Sequence, residues 1–441
     1  MNDRRRLLWP GAVAGIAVLL AGGCSGDAGA GECVRVVDED TGETGKECLP
    51  LAPESDRVDL AEPVFSHPTR ITNPLHPTSE VDQVVMGGQA DEAVFRTEVS
   101  LLPGSKTIKW DGTSVKALTS QYVAYADGRI QEVALDWYAQ ADDGAVWYLG
   151  EDVFNYEDGV VADTEGTWQA GRDGAPPAMI MPAAPEEGDV YRPENLPGVV
   201  FEEVTVKTVD QTVDGPYGEV NGAITVTEVH MDGSTEDKVF APGYGEFSTG
   251  TASGDLEAVS LAVPTDAAPG AAPAELTALD TAVRAAQDGE VTEDDARGVQ
   301  RAWKTYLASD AVPSLLSRQM NRDVEALAGE EPGEAALRVA QDVGDLRLRY
   351  ESVRAVDLDR FDMWARQLGI DAEEKDAGAV AGDVTSLELT WQRLRDDSSA
   401  AQDVTATLAE AREAADGKDM GTAERLASEL TAAIAEVPNG S

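Results

Sequence analysis

The sequence predicts an all-β antiparallel meander, half-barrel or sandwich-like, followed by an all-α helical bundle. Three observations carry this reading. Asp-Gly pairs recur at 111–112, 127–128, 143–144, 158–159 and 173–174, every 15 or 16 residues, with strand-like runs between them. A Pro/Ala-rich segment, AVPTDAAPGAAPA, ends that region at 262–274. Beyond it, apolar residues recur at helical spacing. A chain of 441 residues, 42% of them hydrophobic, is long enough to bury two cores.

The chain divides into a signal segment (1–23), a tether (24–60), a β-domain (61–263), a linker (264–274) and a helical domain (275–437). Arg4-Arg5-Arg6 precede an apolar run from Leu7 to Leu20, then Leu20-Ala21-Gly22-Gly23-Cys24. Small residues before a cysteine resemble the lipobox of bacterial lipoproteins, with Ala21 where leucine is the commonest choice. The competing readings are an ordinary signal peptide or a short membrane helix, against which the run is short and broken by Pro10. Acylation at Cys24, of the palmitate kind, then anchors the protein to the outer face of the cytoplasmic membrane or elsewhere in the cell envelope, since several chains hold where one is marginal. A net charge of −48 argues against nucleic acid as a partner, because no basic patch exists to release counterions. Cys33 and Cys48 bracket a strand-like piece and a Gly-containing turn. With no third ligand nearby, a disulfide is favoured over free thiols or a shared metal, and is worth about 3 kcal/mol through restriction of the unfolded chain.

Within the β-domain, the proline-rich stretch FSHPTRITNPLHPTSE excludes helix and reads as an extended entry. The central hairpin runs from Leu135 to Val153 around Asp142-Asp143-Gly144. Val133, Leu135, Trp137 and Ala139 share one face of its first arm. Trp147, Leu149 and Val153 do so on the second, interrupted by Glu151. Runs of about twelve residues exceed the usual strand length, which predicts bulges and strong twist. Past Asp173 the chain reads as a proline-rich excursion, then returns to strands, with Ala252–Val263 expected to close the sheet.

In the helical domain, stripes run through Leu276, Leu279, Val283 and Ala286, through Val299, Trp303 and Tyr306, and through Val339, Val343, Leu346 and Tyr350. A fourth runs from Val380 through Trp391 to Leu394. Shorter helices are expected at 401–416 and 419–437. Thr292 and Asp357 read as N-caps. Six to eight helices with short loops predict an up-and-down bundle.

Asp136-Trp137-Tyr138-Ala139-Gln140, followed by Gly144-Ala145-Val146-Trp147-Tyr148-Leu149-Gly150-Glu151-Asp152, resembles a family of bacterial secreted β-rich lipoproteins with a DWYAQD…GNVWYFGED type motif. Further likeness follows at Glu165–Gly171, Pro182–Pro185, Gly188–Arg192, Tyr217-Gly218 and Phe240–Gly245, with Asn73-Pro74 at the opening. It spans about residues 70 to 262. Ala145 and Pro193 depart from the pattern. The resemblance implies a β-domain in the cell envelope and brings no reaction with it. The closing pattern is similar to small antiparallel half-barrels that cradle a lipid or an inner helix. Asp359–Leu368 resembles helical regions of other actinobacterial-type envelope proteins.

Three histidines, His67, His76 and His230, form no short metal motif, so no metal ligands are assigned. No nucleophile elbow, P-loop or dinucleotide fingerprint is present. Asp136, Glu151, Asp152, Asp158 and Asp163 can form an acid/base pair or hold Ca²⁺, but no calcium-loop motif supports a cofactor, and solvated turn positions explain them as well. Trp137, Tyr138, Trp147, Tyr148 and Trp168 are the candidate ligand-binding residues, an aromatic lining for an apolar or sugar ligand, with core packing as the alternative. The favoured function is an envelope-anchored binding or scaffolding module without catalysis, partnered by an unidentified protein or small apolar ligand. A carrier of lipid and a carboxylate-dependent hydrolase are the rivals. On the lipoprotein reading, Cys24→Ala moves the protein from the membrane pellet to the supernatant on sedimentation; retention in the pellet contradicts lipidation.

Overall fold

The computed structural model describes residues 33–37, 42–90, 93–251, 256–287, 289–394 and 399–439. Cys24 and the signal segment lie outside the described residues. Strands β1 (Arg35–Val37) and β2 (Thr44–Cys48) form a hairpin stapled by the Cys33–Cys48 disulfide, with Cα atoms 5.2 Å apart. This hairpin, expected within the tether, packs Val34, Val37 and Leu49 against Phe201 and Met231 of the β-domain. Residues 52–58 follow the sheet edge, where the Val58 amide donates to the Val190 carbonyl.

The first half of the sheet comprises β3 (Gln83–Ala90), β4 (Ala93–Leu101), β5 (Lys106–Trp110), β6 (Thr113–Ala126), β7 (Arg129–Gln140), β8 (Val146–Glu157), β9 (Val160–Asp163) and β10 (Trp168–Gln169). The second half comprises β11 (Ala178–Met181), β12 (Val190–Leu196), β13 (Val200–Gly215), β14 (Gly218–His230), β15 (Thr235–Ala241), β16 (Gly245–Thr251) and β17 (Leu256–Val263). The spatial order is β10-β8-β7-β6-β4-β3-β17-β16-β15-β14-β13-β12, all antiparallel. First and last strands therefore meet in the middle, and β17 closes the sheet there as expected. The sheet is open: among the described residues no ladder joins β8 to β12. The two edges nevertheless curl toward each other, and β11, paired to β8, lies against β12.

Three of the Asp-Gly corners form two-residue turns between paired strands, for a local reason. At 111–112, 127–128 and 158–159 both residues have positive φ, as type I′ turns require, and this geometry matches the twist of the strands it joins. At the central corner only Gly144 does so, and the Asp143 carboxylate accepts from the Ala145 amide instead. The expected bulges are present. Asp136 pairs with Glu151 and Tyr138 with Tyr148, so two steps on β7 face three on β8. The extra residue falls at Gly150, with φ of +118°, where an added Cβ would lie 2.3 Å from the Trp168 carbonyl oxygen. The proline-rich excursion is not structureless: it contains β11 and β12, and Pro193 sits in the register shift between Tyr191 and Glu194, where the ladder is interrupted.

The helices are α1 (Ala274–Ala286), α2 (Glu293–Ser309), α3 (Ser314–Ala326), α4 (Pro332–Leu348), α5 (Val353–Glu374), α6 (Ala377–Leu394), α7 (Ser399–Asp416) and α8 (Met420–Ile434). Thr292 caps α2 through a full capping box. Asp357 is not a cap: Ser352 caps α5, and Asp357 lies inside that helix, 1% exposed. Among the described residues no helix is long and apolar enough to cross a membrane.

The helices cover the convex face of the sheet. Val123, Tyr125, Ile130 and Val133 share a core with Phe361, Trp364, Leu368 and Val384, and Tyr125 stacks on Trp364 at 5.7 Å. Charged groups are buried in the same interface. Arg96 grips Asp345 at 2.6 and 2.8 Å and reaches Glu98 at 2.7 Å. Arg360 contacts Asp345 at 2.8 Å, Asp357 at 3.1 Å and Glu98 at 3.3 Å, while Arg393 bridges Glu98 and Asp357 at 3.0 and 2.9 Å. Burial alone would raise the Glu98 carboxyl, but Arg360, Arg96 and Arg393 hold it well below the usual range. Removing one partner strands a buried charge, so Arg360→Met is expected to cost about 3–5 kcal/mol in urea-unfolding stability, whereas a loss below 1 kcal/mol would show that the network is slack.

Candidate functional site

Strand alternation divides each strand between two environments. On β4, Arg96 and Glu98 face the helices, while Val99 and Leu101 face the hollow of the sheet. On β7, Val133 joins the helical core, while Glu132, Ala134, Asp136 and Tyr138 line the hollow. The hollow is a cavity of about 290 Å³. Its wall carries Glu132 and Asp136 of β7, Glu151 of β8, Glu194 of β12 and Glu202 of β13. It continues with Glu228 of β14, Glu236 of β15, Glu246 of β16 and Glu257 of β17. Lys238 is the one lysine or arginine among the lining residues.

At one end, Tyr148 donates to Asp136 at 2.8 Å and stacks on Tyr138 with ring centroids 4.8 Å apart. His76 meets the edge of Tyr138 at 4.6 Å, and its imidazole is lowered to about 4 by burial. The bulge at Gly150 lets Tyr148 and Glu151, three positions apart, both reach the cavity. Burial raises Asp136 above the usual carboxylate range, against the opposing hydrogen bonds of Tyr148 and Tyr138. Burial and the Asp136 charge raise Glu151, which is hydrogen-bonded to Glu194. Elsewhere on the wall, burial pushes Glu132 up to about 7 and Glu257 up to about 8, the latter although Thr97 donates to it. The hydroxyls of Tyr122 and Tyr191 are buried and without a hydrogen-bond partner.

At the other end, Glu202 lies across from His230 and Glu228 across from Glu236. His230 Nδ1 is 3.4 Å from Glu202, and Lys238 Nζ is 2.8 Å from Glu228. Burial opposes charge on His230, but the surrounding carboxylates outweigh it and push the imidazole up to about 11. Burial likewise raises Glu228 to about 7, with the neighbouring Glu202 adding to it.

Of the aromatic candidates, Tyr138 and Tyr148 line the cavity. Trp137 and Trp147 alternate to the opposite face, Trp137 beneath the Lys106 ammonium at 2.9 Å from the ring centroid. Trp168 packs edge-on behind Tyr148 at 5.4 Å. Of the acidic candidates, Asp136 and Glu151 are each 7% exposed in the cavity and are not solvated turn residues. Asp152 pairs with Lys106 outside it, Asp158 occupies a turn, and Asp163 accepts from Asn155. The remaining acids were legible only as charged residues at alternating strand positions, a pattern that ordinarily marks a solvent face. A scan of protein-family models, a search of curated proteins and a search of solved structures return no match to this chain.

The raised carboxyls have a stability consequence with a definite sign. Glu132, Glu228 and Glu257 keep their protons in the fold to about pH 7 or 8, but release them near pH 4 when unfolded. Their contribution is full below pH 4 and is lost as pH rises through 7 to 8. His230 acts in the same direction between 6.5 and about 11. His76, held low, adds stability with rising pH only between about 4 and 6.5. The melting temperature is therefore expected to fall from pH 6.5 to 8.5, and Glu257→Gln to flatten the fall; a rise over that window contradicts the assignment.

Proposed function

We propose that this protein is an envelope-anchored binding module, tethered through Cys24, that takes a small organic cation into the hollow of its curved sheet. The observation that carries this reading is the excess of carboxylates over basic groups around the hollow. Carboxylates left without a counterion in low dielectric hold protons instead, as the raised Glu132 and Glu257 do. An ammonium or guanidinium supplies the missing charge, and the stacked Tyr138–Tyr148 pair offers a π-face beside it. The volume sits at the small end of ligand pockets, which favours a compact amine over an extended chain. A lipid tail fits this wall poorly, since it strips water from the carboxylates and returns no hydrogen bond.

A hydrolase reading retains one support: Asp136 and Glu151 stand directly across from each other with pKa values raised by burial. Turnover of nitrophenyl glycosides that is lost in Asp136→Asn would favour it.

Methylammonium and tetramethylammonium serve as probes for the cation reading, followed by calorimetry. Binding is expected to saturate at one site, to strengthen from pH 6 to 8.5 as carboxyls ionise, and to weaken at least about tenfold in Asp136→Asn/Glu151→Gln, roughly the loss of one charged partner. Affinity that is unchanged by the double substitution and simply follows ionic strength would assign binding to the acidic surface instead.

A further inference from the structure

We propose that Glu202, Glu228 and His230 form a binding site for a divalent transition-metal ion of the zinc or manganese class, at the end of the cavity beside the cystine hairpin. One donor atom from each of the three residues lies within 4.8 Å of the other two. Donors around one such ion stand roughly 3–4 Å apart, so side-chain rotation closes the set without moving the strands. The strands are held in register here: Glu202 pairs directly with His230, and the Val37 amide of the cystine hairpin donates to Met231 at the end of β14.

Two further observations point to a missing ligand. His230 is 4% exposed, and its Nε2 has no hydrogen-bond partner; the carboxylate facing it, Glu236 Oε1, is 3.6 Å away. Glu236 is 2% exposed, and while its Oε1 meets the Lys238 ammonium, its Oε2 has no hydrogen-bond partner. Charge bookkeeping agrees. Glu202, Glu228 and Glu236 face the single ammonium of Lys238, at 2.8 Å from Glu228 and 3.0 Å from Glu236. With all three carboxyls ionised, as ligation requires, and the imidazole neutral, the set carries two net negative charges, which a divalent ion balances.

An imidazole beside two carboxylates suits zinc, manganese or cobalt, whereas calcium and magnesium favour oxygen donors alone. Three protein donors leave coordination positions open toward the cavity. No short motif announces the site because its ligands come from two neighbouring strands, two of them two residues apart on β14. The proposal goes beyond the organic-cation reading and shares the wall residues Glu202 and Glu228 with it, whereas His230 lies outside the wall and Asp136 and Glu151 outside the metal set, so the variants separate the two.

The test is equilibrium dialysis of the full chain, stripped of metal and purified in detergent, against Zn²⁺, Mn²⁺ and Ca²⁺, with metal content read by mass spectrometry. One Zn²⁺ or Mn²⁺ per chain is expected, weakened at least about tenfold in His230→Gln and in Glu228→Gln and retained in Asp136→Asn/Glu151→Gln. Equal uptake of Ca²⁺ overturns the proposal, as does Zn²⁺ binding that His230→Gln leaves unchanged. Should the variants fail to fold, X-ray absorption of the zinc-loaded wild-type chain decides: an imidazole in the coordination shell supports the site, and an all-oxygen shell overturns it. Loss of amine binding with metal binding intact would remove the organic-cation reading alone.

Discussion

Where β4 meets the helices, Arg96, Arg360 and Arg393 interlock with Glu98, Asp345 and Asp357, and these side chains are at most 5% exposed. Three positive charges meet three negative ones, so the cluster is neutral despite its burial. Such a network need not add net stability over an apolar interface, but it is intolerant of misplacement, because a shifted helix leaves a charge without its partner. Arg129 repeats the arrangement nearby, reaching Glu334, Asp371 and Asp383 from the start of β7. The helices are thereby held to one face of the sheet in one orientation. Strand alternation then commits the intervening residues to the opposite face.

That opposite face carries the contrary charge pattern. Its carboxylates outnumber its bases, and burial drives several of them to keep protons near neutrality. The same residue types are matched by guanidiniums on the convex side and outnumber the single ammonium of Lys238 on the concave side. The physical difference is the supply of arginine: three guanidiniums reach the convex cluster, and none lines the cavity. The curvature also matters. The bulge at Gly150 turns β8 so that Tyr148 and Glu151 both point inward, which a regular strand could not arrange.

Much of this architecture could be read from local chemistry. The Asp-Gly corners specify tight turns through their backbone preferences, and their spacing fits antiparallel strands whatever lies around them. Helical stripes such as Leu276–Ala286 and the capping box at Thr292 are equally local. Proximity in the chain made Cys33 and Cys48 a readable pair. Asp357 misled because an aspartate before an apolar turn looks like a cap until Arg360 and Arg393 are seen beside it. Asp136 and Glu151, readable also as solvated turn residues, misled for a related reason: alternation shows which residues share a face, but not whether that face meets water.

Sequence alone therefore determined the division into strands and helices, the corners between them and the staple at the start, all of which depend on residues within a few positions of one another. Tertiary structure alone decided which side of the sheet the helices cover, that its edges curl around a hollow, and that Glu202, Glu228 and His230 converge. Those outcomes depend on contacts between residues far apart in the chain. The meaning of a charge, whether solvated, paired or held in wait for a counterion, depends on what stands across from it.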